Sequence, residues 1–507
     1  MKTNRKAPKR ISLFRILLWA SVMGVTPSAF AQTPPPAEAE PPADAPSPED
    51  PALLTVAPEE ANMSASDARS ELLEAQIASL QAQLDDLKKA LPKATPSWKG
   101  APQWEDKDKG FAFKVRGRLM YDVGYVNDPG ATPTAISATQ DLGFNSRVRR
   151  ARLGVEGTLP GGFAYKAEAD FASNAVSWAD VFLEYKGKGP LSVRAGHFET
   201  FQSLEQITSS RHIMFLERAQ MNDAFSHGRR LGLALGYDQG DMLIRAGLFN
   251  DSINGDLNND EWLFGARAVY APKMGANQLH FGVNYQHREY SNTALAFRYR
   301  ARPFLQTTGT RFVDTNSFAA KGDDVFGVEA FGIFGPLWVG GEAQFVKAKT
   351  FAPTDVLPTG GVPGTTNRLL EDPSFKSYYA EVGYWLTGET RGYKKGEWDR
   401  TKPLNGFDKG GMGAFGVALR YDHLDLADKA LYSGGTGTSL ARGGTQNGYL
   451  ASLVWQPIDY VRVTAQYAHS AVEGGPFASI VKPTSTAAIN DRKYGVDTFA
   501  MRFAFDW

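Results

Sequence analysis

Apolar and polar side chains alternate along the last ten residues of the chain, TFAMRFAFDW. The polar positions include Arg502 and Asp506. The positions of the other parity are all apolar: Phe499, Met501, Phe503, Phe505 and Trp507. Because successive side chains of a strand point to opposite faces, this segment suits a strand with lipid on one side and water on the other. The pattern predicts that the chain ends in a strand of an outer-membrane β-barrel.

The same period of two begins at Phe111, where apolar residues alternate with Lys114, Arg116, Arg118 and Asp122. Seventeen segments are candidate strands: 111–125, 148–159, 163–171, 178–186, 191–198, 230–237, 242–249, 262–270, 279–288, 295–302, 325–334, 337–346, 378–386, 415–422, 449–456, 460–469 and 496–507. Since bacterial single-chain barrels have an even number of strands, sixteen or eighteen is expected. We therefore predict an all-β fold, a transmembrane antiparallel β-barrel of about 16 strands over residues 111–507 that encloses an aqueous channel.

Residues 1–31 have the organisation of a secretory signal peptide. Six basic residues precede the short apolar run Ile16–Val25, and Ala29-Phe30-Ala31 follows as a small-x-small cleavage site. The run is well short of the ~20 apolar residues that a transmembrane helix needs. The sequence therefore predicts that this segment is cleaved and that the mature chain is periplasmic, secreted or inserted as a barrel in a Gram-negative outer membrane.

A soluble β-sandwich or propeller is the alternative for residues 111–507, because any sheet with one solvated face shows the same alternation. Three features favour the membrane barrel: the signal peptide, the aromatic C-terminal residue and the outward aromatic residues of a possible interfacial girdle. The girdle candidates are Tyr270, Tyr285, Tyr384, Trp455 and Trp507.

Composition separates three segments between the signal peptide and the barrel. Residues 32–69 form a Pro/Ala-rich acidic linker with too little apolar content to pack. Residues 70–91 have the seam of a short coiled-coil helix, with apolar side chains at spacings of four and three: Leu73, Ile77, Leu80, Leu84, Leu87 and Leu91. Pro92 and Pro96 end this helix, and residues 92–110 form a second linker. The seam fits either self-association or a single amphipathic helix packed on the barrel.

Charge is distributed unevenly, although the whole chain has 55 basic and 55 acidic residues. Residues 32–110 have 7 basic and 15 acidic residues, whereas residues 111–507 have 42 and 40. The nearly neutral main domain argues against a nucleic-acid-binding protein, for which a net basic domain is expected. It is compatible with a positive lumen, because steering depends on where the charges lie. The absence of cysteine excludes a disulfide-stapled scaffold and thiolate metal sites.

A row of arginines supplies the candidate chemistry of the lumen. Arg298, Arg300 and Arg302 alternate with Tyr299 and Ala301, so their guanidinium groups share one face at intervals of roughly 6 to 7 Å. Arginine keeps its charge and presents a fork of donors that fits phosphate or carboxylate oxygens, so this row predicts a path for anions. In the alternative, inward acidic residues balance the row, as in a weakly selective channel.

Two further segments are candidate parts of the path. In the cluster Arg147–Arg152, the side chains of Arg150 and Arg152 share a face, and Arg149 points to the opposite face unless the strand is bulged. The long connection 199–229 either is an outer loop or folds inward and narrows the pore. If it folds inward, its polar side chains would replace part of the hydration shell of an anion: Ser209, Ser210 and Arg211.

Several stretches of the chain resemble the phosphate-selective porin O and P family of Gram-negative outer membranes. They are FAFKVRGRL from Phe111, SRVRRARL from Ser146, SLEQITSSR from Ser203 with FLER from Phe215, RYRARP from Arg298, YWLTGETRGY from Tyr384 and GAFGVALRYDHLDL from Gly413. Together they span nearly all of residues 111–507 in the family's order. The resemblance implies a sixteen-stranded homotrimeric barrel, with a third loop folded inward, that passes phosphate or polyphosphate.

The resemblance also implies a central anion site, for which Arg149 has to lie at a bulge. Its residues are Arg118, Arg149, Arg150, Asp180, Ser209, Ser210 and the arginine row that ends at Arg302. With Arg211, Arg298 and Arg300 from the patterns above, these are the candidate anion-binding residues.

The chain departs from the family pattern at the expected constriction. Where the phosphate channels have a lysine before the Thr-Ser-Ser segment, this chain has Gln206, and Glu199 places an acid nearby. Each such change weakens the attraction for a dianion by on the order of 1 kcal/mol or more at an effective dielectric constant near 20. The family also has a lysine on the far wall, for which Lys347 and Lys349 are candidates. A general or organic-anion porin with weak selectivity is therefore the alternative.

Other classes of function have less support in the sequence. The seven histidines are scattered and none lies in a nucleophile motif, so we predict no enzymatic activity, no catalytic residue, no metal site and no cofactor. A purely structural barrel would show no stepwise conductance after reconstitution. No nucleotide-binding motif or energy-coupling element is apparent, so transport is expected to be passive. The predicted partners are phosphate or other small anions, outer-membrane lipid and further copies of the chain, without nucleic acid.

Overall fold

The computed structural model describes residues 59–90, 95–98, 100–255, 261–290, 295–351, 369, 371–432 and 443–507. Within these residues, sixteen antiparallel strands close into a barrel. In chain order, β1 to β16 are Phe111–Val126, Gly143–Leu159, Phe163–Asp170, Ser177–Lys186, Leu191–Glu199, Arg229–Gln239, Met242–Phe249, Glu261–Tyr270, Asn277–Tyr290, Phe318–Phe334, Leu337–Thr350, Ser374–Trp385, Ala414–Asp425, Thr445–Ile458, Val461–Glu473 and Lys493–Asp506. Each strand pairs with its neighbours in sequence, and β16 pairs with β1. The predicted signal peptide lies outside the described residues.

Sixteen of the seventeen predicted strands belong to the barrel, and the prediction for residues 295–302 is wrong. This segment forms the short strands Leu295–Phe297, which pairs with the start of β10, and Arg300–Ala301, which forms a separate ribbon with Val313–Asp314. Its alternation has another cause than lipid, because Tyr299 and Ala301 are buried in an apolar core inside the barrel. The alternation therefore identified a segment with one buried and one polar face, but it did not show that this segment lies inside the barrel and not in its wall.

The C-terminal strand has the predicted orientation. Phe499, Phe503 and Phe505 are about half exposed on the outer face, whereas Arg502 is buried. The backbone of the C-terminal Trp507 exchanges hydrogen bonds with Gly117 at 3.1 and 3.3 Å. The indole lies so close to Gly117 that a Cβ atom there would overlap it. A glycine at this position of β1 therefore allows the last residue to pack against the seam that closes the barrel.

A helix, α1 (Glu59–Ala90), precedes the barrel and lies mostly in a separate compact unit that ends at Asp86. It begins eleven residues before the predicted start at Ser70, inside the predicted linker 32–69. Residues 59–69 contain no proline, and two glutamates at the first turn favour a helix N-terminus. The described seam residues Leu73, Ile77, Leu80 and Leu84 are exposed. Among the described helices, none has the length and apolar character needed to cross a bilayer.

The two ends of the barrel differ in the length of their connections. One end has short connections such as 160–162, 187–190 and 335–336, and the other has long ones, including 127–142, 200–228 and 474–492. In outer-membrane barrels the short turns face the periplasm and the long loops face the outside. A short hairpin, Thr95–Trp98 and Pro102–Asp106, extends the sheet beside β1 at the short-turn end.

Two long-loop connections, 200–228 and 298–317, and one connection of the other end, 386–413, contribute to the core inside the lumen. The first contains helices α2 (Leu204–Ile207) and α3 (Gln220–Ala224), and the last contains the strands Tyr393–Lys394 and Glu397–Trp398 and the 3-10 helix Phe407–Lys409. The core includes Leu204, Phe215, Leu216, Phe225, Phe304, Phe312, Trp338, Trp385 and Trp398. Helix α4 (Ala478–Val481) and the 3-10 helix Lys429–Tyr432 also contribute buried side chains to this core, and the 3-10 helix Ile489–Asp491 packs against it.

Candidate functional site

Loop 200–228 crosses the lumen and is fixed to the opposite wall. The backbone N–H groups of Leu204 and Glu205 each donate to the Glu342 carboxylate of β11 at 3.0 Å. The N–H group of Leu216 donates to the Gln466 amide oxygen of β15 at 2.8 Å. Buried backbone donors require such partners, so these wall side chains determine where the loop lies. The predicted inward fold of this loop is confirmed.

A buried ion network anchors the inward connections. The Arg420 guanidinium of β13 contacts the Glu205 carboxylate of loop 200–228 at 2.5 Å and the Glu381 carboxylate of β12 at 2.6 Å. Arg391 of connection 386–413 contacts Glu381 at 2.6 Å. Removing one partner of a buried ion pair typically costs 3–5 kcal/mol, because the other charge stays buried without a partner. The network therefore holds both connections firmly inside the barrel.

Two cavities lie in the lumen on either side of loop 200–228. The lower cavity, towards the short-turn end, has a volume of about 670 Å³, and the upper cavity, towards the long-loop end, has about 170 Å³. The described lining of the lower cavity includes six acidic residues and thirteen arginines and lysines. These cations are Arg118, Arg150, Arg152, Lys166, Lys186, Arg194, Arg211, Arg218, Arg229, Arg245, Arg267, Lys394 and Lys395. The lining has a formal excess of seven positive charges. Four carboxylates outside the lining, Glu168, Asp170, Glu329 and Asp506, pair with cations of the lining and offset part of this excess. The remaining excess makes this part of the lumen attractive to anions.

Arg218 lines both cavities and marks their junction. Its guanidinium donates to the carbonyl oxygens of Glu205 at 2.6 Å and Thr208 at 2.7 Å. No carboxylate within the described residues forms an ion pair with it. Burial lowers the pKa of Arg218, and the nearby carboxylates of Glu199 and Glu205 oppose that shift. The sequence analysis did not identify this residue, because only the path of the loop brings it to the junction.

Four of the predicted site residues meet in one cluster on the wall of the lower cavity. Arg118 of β1 donates to the hydroxyl oxygens of Ser209 at 3.2 Å and Ser210 at 3.0 Å. The Arg211 guanidinium also donates to the Ser209 hydroxyl, at 3.2 Å. Two guanidinium groups and two hydroxyl groups therefore converge, and each guanidinium group also contacts a carboxylate at 3.2 Å, Glu168 for Arg118 and Asp506 for Arg211. The hydroxyl groups and the remaining N–H groups are the donors that could face an oxyanion. We call these four residues the serine–arginine cluster.

Arg149 lies at a bulge of β2, as expected. Arg150 pairs with Met120 of β1, and Val148 pairs with Tyr121, the next residue of β1. Arg149 lies between these two pairs and is therefore the extra residue of the bulge. Its guanidinium contacts the Glu217 carboxylate of loop 200–228 at 2.7 and 2.8 Å and lines the upper cavity. Burial disfavours the charged form of Glu217, but the guanidinium groups of Arg149 and Arg502 hold the pKa of Glu217 below its usual range.

The neighbouring Arg150 is buried and lines the lower cavity. Among the described residues, the contact recorded for its guanidinium is the Met120 sulfur at 3.8 Å, and no carboxylate pairs with it. A buried guanidinium without a carboxylate has an incompletely satisfied charge. Arg150 and Arg218 are therefore two cations of the lower cavity suited to receive an anion as a counter-ion.

The acidic residues of the site are neutralised by cations of the wall. Asp180 contacts Lys166 at 2.5 Å and Arg229 at 2.7 Å. Glu199 contacts Arg229 at 2.7 Å and accepts a hydrogen bond from the Gln206 amide at 3.0 Å. Because the Arg229 guanidinium pairs with the Glu199 carboxylate, Glu199 repels anions less than the sequence analysis predicted.

The arginine row lies away from the serine–arginine cluster. Arg302 lines the upper cavity and contacts the Asp223 carboxylate at 3.0 Å. Arg298 contacts Asp314 of its own ribbon at 2.5 Å, and neither Arg298 nor Arg300 lines the two cavities. The intervening Tyr299 and Ala301 are buried, and acidic partners offset the charges of Arg298 and Arg302.

The expectation that Lys347 or Lys349 supplies a far-wall cation is wrong. Both share the outward parity of Phe345 in β11, which is half exposed, and Lys349 contacts Asp324 on the outer surface at 3.2 Å. On the lumen side, Lys394 and Lys395 of connection 386–413 line the lower cavity. No pattern in the sequence indicated that this connection enters the lumen.

The described residues contain no group of three or more His, Cys, Asp or Glu side chains that could hold a metal ion. The observed arrangement is a narrowed, water-accessible lumen with excess positive charge and converging hydroxyl and guanidinium donors. Such a lining can replace part of the hydration shell of a small anion.

Comparisons with known proteins identify relatives of the chain. Residues 113–475 match the family described as phosphate-selective porin O and P. An uncharacterised protein of Caulobacter vibrioides is 35% identical over 433 residues, which cover 82% of this chain and 79% of that protein. Porin O of Pseudomonas aeruginosa is 27% identical over 405 residues, which cover 73% of this chain and 85% of that protein.

Solved structures of outer-membrane channels are similar over most of the chain. The outer membrane channel DcaP of Acinetobacter baumannii has a TM-score of 0.46 at 11% identity, with 78% of this chain and 98% of that chain covered. An anion-selective porin from Comamonas acidovorans has a TM-score of 0.43 at 13% identity, with 78% of this chain and 100% of that chain covered.

Proposed function

The chain belongs to the phosphate-selective porin O and P family, and from this premise we propose that it forms a passive, water-filled outer-membrane channel selective for phosphate or polyphosphate. The observation that carries the proposal is the lining of the lower cavity, with thirteen basic and six acidic residues. A dianion gains twice the attraction of chloride from such a field. A general porin lining would balance the two signs more closely.

A path for the anion follows from the order of the cations along the lumen. An anion from the outside meets Arg302 and Arg149 in the upper cavity and Arg218 at the junction. It then reaches the lower cavity, where Arg150 lies buried and the serine–arginine cluster offers donors. Each step exchanges water for guanidinium or hydroxyl donors, so the anion loses hydration gradually. Release is passive and follows the concentration gradient.

The serine hydroxyls provide a test that leaves the charge of the pore unchanged. In the double variant Ser209→Ala/Ser210→Ala, the phosphate block of chloride current through single channels is expected to weaken. Two hydrogen bonds at about 0.5–1.5 kcal/mol each correspond to a roughly 5- to 160-fold increase in the blocking constant. The ratio of chloride to potassium permeability should stay the same. An unchanged blocking constant would contradict the placement of phosphate at this cluster.

A second candidate is a porin for organic anions, which Gln206 and an aromatic surface favour. Phe182, Phe198 and Phe201 line the lower cavity, and the Arg194 guanidinium lies 4.3 Å from the centroid of the Phe182 ring. A cation beside an aromatic ring suits an aromatic carboxylate. Block of chloride current by benzoate at concentrations where phosphate has no effect would favour this second function.

We further propose that the channel is a homotrimer and that α1 contributes to its assembly. The exposed seam Leu73, Ile77, Leu80 and Leu84 has the heptad spacing of a coiled coil. Sedimentation in detergent should give a trimer for the full chain and a weaker assembly for Leu80→Ser/Leu84→Ser. A variant that assembles as tightly as the wild type would remove α1 from this role.

A further inference from the structure

An outward groove crosses β10, β11 and β12 near the long-loop end of the barrel. Its volume is about 470 Å³, and its lining includes Phe326, Phe345, Lys347 and Lys376. Phe326 and Phe345 are 47% and 50% exposed, which is unusual for phenylalanine unless lipid or a partner covers it. We propose that this groove binds an outer-leaflet lipid whose headgroup carries phosphate.

The strand register places one cation beside the apolar part of the groove and another above it. Phe326 pairs with Phe345, and Phe345 pairs with Lys376. Two residues closer to the long-loop end, Lys347 pairs with Asp324. Because two residues of a strand span roughly 7 Å, Lys347 lies about one such step closer to the long-loop end than Phe345, whereas Lys376 lies beside Phe345. This order of apolar and cationic surface matches an acyl chain with an anionic headgroup above it.

The lysines of the groove are available to a headgroup. Lys347 is exposed, and no ion pair of its ammonium group is present in the described part of the chain. The Lys376 ammonium group contacts the Asp425 carboxylate at 3.7 Å, but its side chain is 52% exposed and can reach a headgroup. Lys349 lies beside them and contacts Asp324 at 3.2 Å. Lys376, Lys347 and Lys349 therefore lie at successive steps towards the long-loop end, and their long, flexible side chains reach the headgroup region.

The acidic residue nearest to Lys347 is already occupied by other partners. The Asp324 carboxylate accepts a hydrogen bond from the Tyr285 hydroxyl at 2.7 Å and contacts the His287 ring at 2.6 Å. The Lys349 ammonium contacts it as well. Asp324 therefore offsets little of the charge of Lys347, which makes the cationic edge complementary to phosphate.

The surroundings of the groove indicate lipid rather than another protein chain. Exposed tyrosines lie on the same outer face on both sides of it, including Tyr285, Tyr378, Tyr449 and Tyr467. Tyrosines in such a belt lie at the headgroup level of a bilayer. A phosphate held by lysines in this belt is therefore part of a lipid, with its acyl chain against Phe326 and Phe345.

The test measures binding of fluorescent diphosphorylated lipid A to the full-length protein in detergent. The double variant Lys347→Gln/Lys376→Gln is compared with Lys188→Gln/Lys273→Gln, which removes two exposed lysines from the short-turn end. At about fivefold per lysine near a membrane surface, the first variant should bind roughly 30-fold more weakly. The second should bind like the wild type. Unchanged chloride conductance in both variants verifies that the barrel is folded.

Two further arms identify the source of the phosphate and the occupant of the groove. Removal of both phosphates from the lipid should reduce binding as much as the lysine substitutions, and inorganic phosphate at the same concentration should not compete. Equal binding of the dephosphorylated lipid, full competition by inorganic phosphate, or equal affinity of both double variants would overturn the proposal. A cysteine crosslink from Lys347→Cys to another chain would overturn it as well, since the face would then be a protein interface.

Discussion

Replacement of Arg218 by glutamine removes one positive charge at the junction of the two cavities. An anion that passes about 6 Å from the guanidinium interacts with it by roughly 0.7 kcal/mol at the dielectric constant of water and by about 2.8 kcal/mol at an effective value of 20. For a water-filled lumen, about 1 kcal/mol for chloride and about 2 kcal/mol for a phosphate dianion are reasonable values. The phosphate blocking constant of Arg218→Gln should therefore rise roughly 30-fold, and the interaction with chloride should weaken only about fivefold.

The assay is the phosphate titration of single-channel chloride current in planar bilayers. Arg218→Lys is the charge-preserving control, and its phosphate blocking constant should be nearly that of the wild type. Arg492→Gln removes the same charge from connection 474–492, where the Arg492 guanidinium donates to the carbonyl oxygens of Lys482 at 2.8 Å and Ala487 at 3.2 Å. Arg492 lines neither cavity. Equal effects of Arg218→Gln and Arg492→Gln, or no effect of the first, would refute the placement of Arg218 in the path.

Two further substitutions test the constriction. Gln206→Lys should tighten the phosphate block by about 1 kcal/mol, or roughly fivefold. This is less than the effect of a free charge, because the Glu199 carboxylate lies 3.0 Å from the Gln206 amide. An unchanged blocking constant would show that this side chain lies outside the path. Arg302→Ala should lower the chloride-to-potassium permeability ratio less than Arg218→Gln does, because Asp223 already pairs with Arg302, and Asp223→Asn should raise the ratio. Reversal potentials that show an unchanged or raised ratio for Arg302→Ala, or an unchanged or lowered ratio for Asp223→Asn, would place Arg302 outside the path.

The wall of the barrel was predictable from the sequence because lipid and water impose a period of two on every strand. The exception at 295–302 arose because the apolar core inside the lumen imposes the same period as lipid. Parity also places Lys347 and Lys349 on the outward face with Phe345, so their assignment to the lumen was an avoidable error.

The candidate site was predictable only in part. The resemblance to the family brought together Arg118, Ser209 and Ser210, which the structure places in contact. Simple alternation does not reveal the bulge at Arg149, because one extra residue in a strand leaves no mark in composition. Arg218 was not identified because its position depends on contacts between loop 200–228 and a wall that is more than one hundred residues away in sequence.

The most direct test of anion selectivity is the zero-current potential of the purified wild-type protein in a planar bilayer under a KCl gradient. The excess of basic residues in the lower cavity predicts a strong preference for chloride, with a potential close to the chloride equilibrium value. A potential near zero, or one of the sign given by potassium preference, would contradict the proposed anion-selective channel and favour a general porin.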